Sequence, residues 1–316
     1  MNLFNKSGTI RKRRVEKNQT IEELAWGICD ETTLGRYERG KVDPSVEKLS
    51  LILEKLDIKN QGMVVSHEIS LFSDNDCYEE FEKLLHDKKL EEINIRLEKY
   101  ESGMEINNTI EKKQFLGRIK LFMSMDRGEL YIHELEDLLM ESIGDYSSGK
   151  ISLTNIYNET ELYILNDIAI GYWDLGRRDL ALNIYKDLME YFKNFIYNQD
   201  SVICNKICLN YSNYLGLSGN YQDSIKTCLD TIRWMQNNTT QDLMYVFIFN
   251  IGWNYYYLWK RTGDFKLKEK AEAYIEKALA LGNYYHENED TINIMRQFYQ
   301  NEITSTPSSS SNDTGR

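Results

Sequence analysis

Basic side chains that could hold a phosphate backbone are concentrated near the start of the chain. They form two groups, Arg11, Lys12, Arg13, Arg14 and Lys17, then Arg36, Arg39 and Lys41. Residues 1–56 carry eleven Lys or Arg and nine Asp or Glu, a balance of +2; because the whole chain carries −12, residues 57–316 carry −14. An acidic body cannot itself lie along a phosphate backbone. Nucleic-acid contact is therefore expected in the N-terminal segment.

A second set of polar side chains lies in the C-terminal half, where three segments repeat one pattern. The segments align on one small residue each: Ala169, Ser212 and Gly252. One equivalent inner-face position then holds a carboxylate or an amide: Asp167, Asn210 and Asn250. One turn earlier the three copies have Tyr163, Lys206 and Val246. Asparagine amides offer both a donor and an acceptor to an extended peptide backbone.

These positions predict a groove that holds a peptide. The candidate contacts are Asn166, Asp167, Lys206, Asn210, Asn213, Asn250, Trp253 and Tyr257. Trp253 and Tyr257 belong to the densest aromatic cluster and could line apolar pockets for peptide side chains. The alternative is that the asparagines cap or solvate helices and that the aromatic residues pack between them.

The cysteines and the missing motifs argue against catalysis. Five cysteines, an odd number scattered through a long chain, are expected to be reduced. Cys204 and Cys208 could form half of a zinc site, but a second such pair is missing, so buried small residues are the better interpretation. The sequence has no P-loop, no GxSxG, no HExxH and no dinucleotide glycine pattern. We expect a non-enzymatic protein without metal or cofactor.

Four short helices are predicted to position the N-terminal basic residues. Thr20 and Glu23 have the spacing of a capping box, so a second helix begins after Thr20. Asp30 is expected to cap a third helix that stops at Gly40, and Ser45 begins a fourth. Buried positions are expected at Leu24, Ala25, Leu34 and Tyr37, with an apolar stripe along the fourth helix at Val46, Leu49, Ile52, Leu53 and Leu56. This order of elements describes a helix-turn-helix domain.

The polar face of the third helix is the expected reader of base edges. The candidate DNA contacts are Thr20, Glu31, Thr32, Thr33, Arg36, Arg39 and Lys41. Thr20, Arg36, Arg39 and Lys41 are placed to bind phosphates. Glu31 could accept a hydrogen bond from cytosine, or could equally face solvent.

The same segment resembles a known family. The run from Thr20-Ile-Glu-Glu-Leu-Ala through Leu34-Gly-Arg-Tyr-Glu-Arg-Gly-Lys41 to Pro44-Ser45 and Leu49 resembles the Xre/Cro-type helix-turn-helix. Gly27-Ile-Cys29 with the following Leu34-x-Arg36-x-Glu38-x-Gly40 is similar to regulators of the Rgg/PlcR group, which sense peptide pheromones. The resemblance implies that Arg14 and Glu38 form a structural ion pair. Ile21 replaces the usual glutamine, which removes a common phosphate or base contact.

The C-terminal body is predicted to be all-α. It lacks proline from Glu68 to Met295, and apolar residues recur there at helical spacing. The three aligned segments have the spacing of tetratricopeptide repeats, and the third contains a seven-residue insertion around residues 260–270. About five helix pairs are expected to stack into a right-handed superhelix with a concave inner face.

The predicted domains are a helix-turn-helix domain over 1–60, a linker over 61–75, a repeat domain over 76–303 and a disordered tail over 304–316. Apolar runs are too short to span a bilayer, so a cytoplasmic protein without a membrane partner is expected.

Along its whole length the chain resembles the Rgg/PlcR/NprR/PrgX (RRNPP) quorum-sensing regulators. That resemblance implies a cytosolic homodimer that binds paired half-sites on double-stranded DNA. It also implies a short signalling peptide, held in the concave groove, that controls DNA binding. Two alternatives stay open: a phage- or plasmid-type regulator whose repeats bind a protein partner, and a scaffold whose helix-turn-helix no longer reads DNA.

Overall fold

The computed structural model describes residues 6–58, 75–86, 89–102, 110–124, 128–144, 146, 149–153, 155–194, 202–236, 243–285 and 289–304. Regular secondary structure in these residues is helical, which confirms the expected all-α class. The chain divides into two compact units, 1–207 and 208–316. Residues 61–74 of the predicted linker and residues 305–316 of the predicted tail lie outside the described residues. Within the described ranges, no helix is long and apolar enough to cross a membrane.

The first unit begins with the four predicted short helices. They are α1 (Lys6–Glu16), α2 (Ile21–Ala25), α3 (Glu31–Glu38) and α4 (Val46–Lys55). The capping box at Thr20 is confirmed, because the Thr20 hydroxyl accepts from the Glu23 amide and the Glu23 carboxylate accepts from the Thr20 amide. Asp30 caps α3 and Ser45 caps α4, as expected. Gly40 follows α3 with a φ of 64°, a left-handed conformation that favours glycine.

The core of this domain contains the predicted apolar residues. Leu24, Ala25, Leu34 and Tyr37 are buried, as are Leu49, Ile52, Leu53 and Leu56 along α4. Val46 is half-buried. The first helix begins at Lys6, five positions before Arg11, and places Thr9 and Ile10 in the core.

Longer helices then follow in pairs. Those of the first unit are α5 (Asn75–His86), α6 (Leu90–Ser102), α7 (Ile110–Ser124), α8 (Glu129–Met140), α9 (Glu159–Asp174) and α10 (Arg178–Asn194). The helix α11 (Val202–Leu217) contains the boundary between the units, and α12 (Tyr221–Gln236), α13 (Met244–Thr262), α14 (Phe265–Tyr285) and α15 (Glu289–Phe298) follow. A π-helical turn, Tyr299–Thr304, closes the described chain. From α5 to α14 the described helices follow one another as five successive pairs.

Small residues allow the paired helices to approach closely. A Cβ added at Gly252 would lie 2.6 Å from Cγ1 of Ile275 and 3.0 Å from the carbonyl oxygen of Ala271. Ala169 and Ser212, the equivalent small residues of the other copies, are buried. The insertion near residues 260–270 lengthens α13 and α14 and leaves a short turn at Gly263.

Candidate functional site

The exposed surface of α3 and the residues just after this helix carry most of the predicted DNA contacts. Glu31, Thr32 and Arg36 are exposed on this helix, and Arg39 and Lys41 are exposed just after it. Thr33 is half-buried, and both its amide and its hydroxyl donate to the Asp30 carboxylate, at 2.9 and 2.6 Å. The Thr33 side chain therefore binds Asp30, the residue that caps the N-terminus of α3.

An ion pair holds α1 against α3. Nε of Arg14 donates to Oε1 of Glu38 at 2.6 Å, and Nη2 donates to Oε2 at 2.9 Å. The third guanidinium nitrogen, Nη1, donates to the carbonyl oxygen of Gln19 at 2.8 Å. The hydrogen bonds that Arg14 donates to the Glu38 carboxylate raise the pKa of Arg14. The structural ion pair implied by the family resemblance is thus present, and all three guanidinium nitrogens of Arg14 bind groups of the protein itself.

Two further contacts shape the reading surface. A Cβ added at Gly35 would lie 3.3 Å from Nη1 of Arg39, so the Arg39 guanidinium lies over the glycine on α3. The ammonium of Lys55 binds the carbonyl oxygens of Glu23 and Trp26 at the end of α2. A cation at that position satisfies carbonyls that lack an intrahelical partner. These contacts fix the turn that leads into α3.

A buried ion network joins four alternating helices of the repeat region. Nε of Arg118 on α7 donates to Oδ2 of Asp167 on α9 at 2.6 Å, and Nη1 of Arg118 donates to Oε1 of Glu82 on α5. Nζ of Lys206 on α11 donates to the other oxygen of Glu82 at 3.2 Å. The Tyr163 ring lies 4.6 Å from the Arg118 guanidinium and 5.3 Å from the Lys206 ammonium. We call these five residues the Arg118 cluster.

The charges of the Arg118 cluster balance. Burial alone would lower the pKa of Arg118, but the carboxylates of Asp167 and Glu82 outweigh it and raise that pKa. Burial would likewise raise the pKa of Glu82, and the two cations Arg118 and Lys206 lower it instead. Two basic and two acidic side chains are thus paired at one site.

Several predicted peptide contacts are occupied by contacts inside the protein. Asn250 is 6% exposed, and its amide donates to the Ser212 hydroxyl at 2.8 Å and to the Cys228 sulfur at 3.5 Å. One turn later, Asn254 donates to Ser224 and to the backbone of Asn250. In the first unit, Oδ1 of Asn166 accepts from the Tyr185 hydroxyl at 3.1 Å. Asn250 and Asn166 hold helices together here.

Other predicted contacts are partly exposed. Asn210 and Asn213 are half-buried on α11. Trp253, Tyr257 and Tyr221 form a half-exposed aromatic group in the second unit, with the Trp253 and Tyr257 ring centroids 4.3 Å apart. Tyr221 stacks on Tyr257 at 5.9 Å.

The structure brings Asp167 and Lys206 into one cluster, through two residues that the sequence analysis missed. Glu82 and Arg118 have no counterpart in the repeat alignment. A signal was present nonetheless, because Arg118 interrupts an apolar stretch of α7 and a buried cation needs carboxylate partners. Cys204, Cys208 and Cys228 are buried, Cys29 is half-buried, and none of these four described cysteines forms a disulfide. Across the described ranges, no group of His, Cys, Asp and Glu could hold a metal ion.

Comparison with known proteins found a matching family model and solved structures with a similar fold. Residues 10–59 match the family model named helix-turn-helix. Apo PlcR from Bacillus thuringiensis is 20% identical with a TM-score of 0.55, and the match covers 94% of this chain and 98% of that one. PlcR in complex with the peptide PapR7 and DNA is also 20% identical, with a TM-score of 0.52 over 95% of this chain and 99% of that one.

The chain has the fold of PlcR. ComR from Streptococcus vestibularis, a competence regulator solved with its signalling peptide XIP, is 14% identical with a TM-score of 0.50 over 93% of this chain and 97% of that one. Among curated protein sequences, none matches the chain. The expected resemblance to the regulator group that includes PlcR is thus confirmed in the fold, and the expected helix-turn-helix domain is confirmed by the family model.

Proposed function

We propose that this protein is a cytosolic transcriptional regulator that binds paired DNA half-sites as a homodimer. A short signalling peptide, bound by the repeat region, controls that binding. The observation that supports DNA binding is the exposed polar surface of α3, where Glu31, Thr32 and Arg36 are available to a DNA major groove. Arg39 and Lys41 add exposed cations beside it for phosphates.

The charge of the rest of the chain also favours DNA contact through the helix-turn-helix domain. Residues 57–316 carry −14, so the repeat region repels a phosphate backbone and only the helix-turn-helix domain can approach DNA closely. Arg14 is committed to Glu38. We infer that Arg36, Arg39 and Lys41 supply the salt-dependent part of the affinity.

Peptide control rests on the architecture of the repeats and on the PlcR fold. PlcR has been solved with a peptide and DNA bound, and ComR with a peptide bound. In this chain the half-buried residues Asn213, Trp253 and Tyr257 offer a polar group and apolar surface to an extended ligand. A ligand changes DNA binding only if it binds two conformations of the receptor unequally.

A mobility-shift titration with DNA from the region upstream of the protein's own gene tests the proposed DNA binding. The double variant Arg36→Ala, Arg39→Ala should weaken binding at least tenfold and reduce the dependence of affinity on salt concentration. Lys226→Ala, which removes an exposed cation on α12, is the matched control and should bind like the wild type. Unchanged binding by the double variant would favour a scaffold that does not read DNA through α3.

A further inference from the structure

The two cations of the Arg118 cluster are held very differently. The Arg118 side chain is 6% exposed and binds two carboxylates, Glu82 and Asp167. The Lys206 side chain is 29% exposed and binds one carboxylate oxygen, which belongs to Glu82. Of the four charged members, Lys206 has the most solvent contact.

This difference decides which cation can exchange its partner. If Arg118 moved away, two buried carboxylates would lose their main partner, which is strongly unfavourable. If Lys206 moves away, Glu82 still accepts a hydrogen bond from Arg118. The Tyr163 ring, 5.3 Å from the Lys206 ammonium, can favour the cation in either arrangement.

We propose that Lys206 leaves Glu82 on ligand binding and binds a carboxylate of the peptide, so that the ligand is a peptide with an accessible acidic group. The inference rests on the proposed function. The carboxylate comes from the C-terminus of the peptide or from an Asp or Glu side chain. Because residues 57–316 carry −14, a ligand carboxylate is repelled by the repeat region unless a local cation compensates, and Lys206 is that cation in the Arg118 cluster.

Two substitutions in the cluster should have opposite effects. Lys206→Met removes the anion-binding group and should lower the affinity for a carboxylate ligand about tenfold, because the charge-assisted hydrogen bond to the ligand is lost. Glu82→Gln removes the competing carboxylate while Arg118 keeps Asp167, so it should raise the affinity severalfold. A purely structural role for the Glu82–Lys206 pair would make both substitutions lower the affinity.

The experiment is an affinity selection with four synthetic pools of heptapeptides, quantified by mass spectrometry. The pools combine a free or an amidated C-terminus with the presence or absence of Asp and Glu. The wild-type full chain should retain each pool that bears a carboxylate about tenfold more strongly than it retains the amidated pool without acidic residues. Lys206→Arg and the exposed control Lys186→Met should keep this preference, and Lys206→Met should lose it. The pool with the strongest retention identifies the source of the carboxylate.

Each other outcome is decisive. Equal retention of all four pools, or an unchanged preference in Lys206→Met, would overturn the assignment of Lys206 and leave the peptide receptor standing. Retention of none of the pools would overturn the peptide receptor itself and this inference with it. If Lys206→Met is found unfolded by its melting curve, Glu82→Gln decides the question: a gain in carboxylate retention supports the exchange, and a loss overturns it.

Discussion

Nη2 of Arg13 donates a hydrogen bond of 2.6 Å to the carbonyl oxygen of Leu153, 140 residues away in the chain. The contact joins α1 of the helix-turn-helix domain to the connection between α8 and α9. That connection is itself well tied, because the Tyr157 hydroxyl bonds both backbone groups of Ser152 and the Tyr157 amide donates to the Tyr191 hydroxyl at 2.8 Å. A cation of the N-terminal basic group thus stabilises the protein instead of reaching outward.

Replacing Arg13 should therefore lower stability. Arg13→Ala removes a charge-assisted hydrogen bond from a mostly buried side chain, and we expect a loss of about 1–2 kcal/mol in the free energy of unfolding. Arg11→Ala, at an exposed position of the same helix, should change it by less than about 0.5 kcal/mol. Urea unfolding followed by circular dichroism measures both, and equal losses would show that the Leu153 contact contributes nothing specific.

The Arg14–Glu38 ion pair should contribute more. Arg14→Met leaves the Glu38 carboxylate buried without its guanidinium partner, and loss of one partner of a buried pair costs about 3 kcal/mol. The double variant Arg14→Met, Glu38→Leu should recover much of this loss, since no unpaired charge is left behind. Thermal unfolding of the two single variants, Arg14→Met and Glu38→Leu, and of the double variant gives the coupling energy between the two side chains. Additive losses of stability would argue against the ion pair.

Stability should fall with rising pH because of Glu161. Burial raises the pKa of this carboxyl to about 7, although it accepts hydrogen bonds from the Ser142 hydroxyl and the Asn158 amide. The folded protein therefore holds the proton more tightly than the unfolded chain, whose carboxyl has an ordinary pKa near ~4.3. The stabilisation is fully present below that ordinary pKa and is lost as pH rises through about 7.

Glu161→Gln tests the pH dependence, because glutamine keeps the capping geometry and does not titrate. Between about pH 5 and pH 8, the wild type should lose roughly 2 kcal/mol of stability relative to the variant. Parallel pH profiles for the two proteins, measured by urea unfolding at each pH, would contradict this role of Glu161.

The close helix contact at Gly252 should not accept a methyl group. Gly252→Ala forces a Cβ to within 2.6 Å of Ile275 and 3.0 Å of the Ala271 carbonyl oxygen, and overpacking of this kind costs about 1–3 kcal/mol. Gly144→Ala is the control, because a Cβ there meets no atom within 4 Å. A melting temperature unchanged by Gly252→Ala would show that α13 and α14 pack less tightly than they do here.

The sequence was most informative where local chemistry determines structure. The structure confirms features that depend on short spacings or on a strong family pattern. These are the caps at Thr20, Asp30 and Ser45, the ion pair of Arg14 and the small residues at the helix contacts. The repeat alignment could not show which asparagine amides are occupied, because the partners of Asn250 lie on other helices. Glu82 meets Lys206 across 124 residues, and no local pattern encodes that contact.

The central claim is that one molecule couples peptide binding to DNA binding. It is tested most directly by fluorescence anisotropy of a labelled duplex from the protein's own upstream region, with and without synthetic peptides encoded by short reading frames beside the gene. The account predicts that one such peptide changes the apparent Kd for DNA at least tenfold, and that the change is absent for a scrambled peptide of the same composition. DNA binding that no neighbouring peptide alters would contradict peptide control and would favour repeats that bind a protein partner.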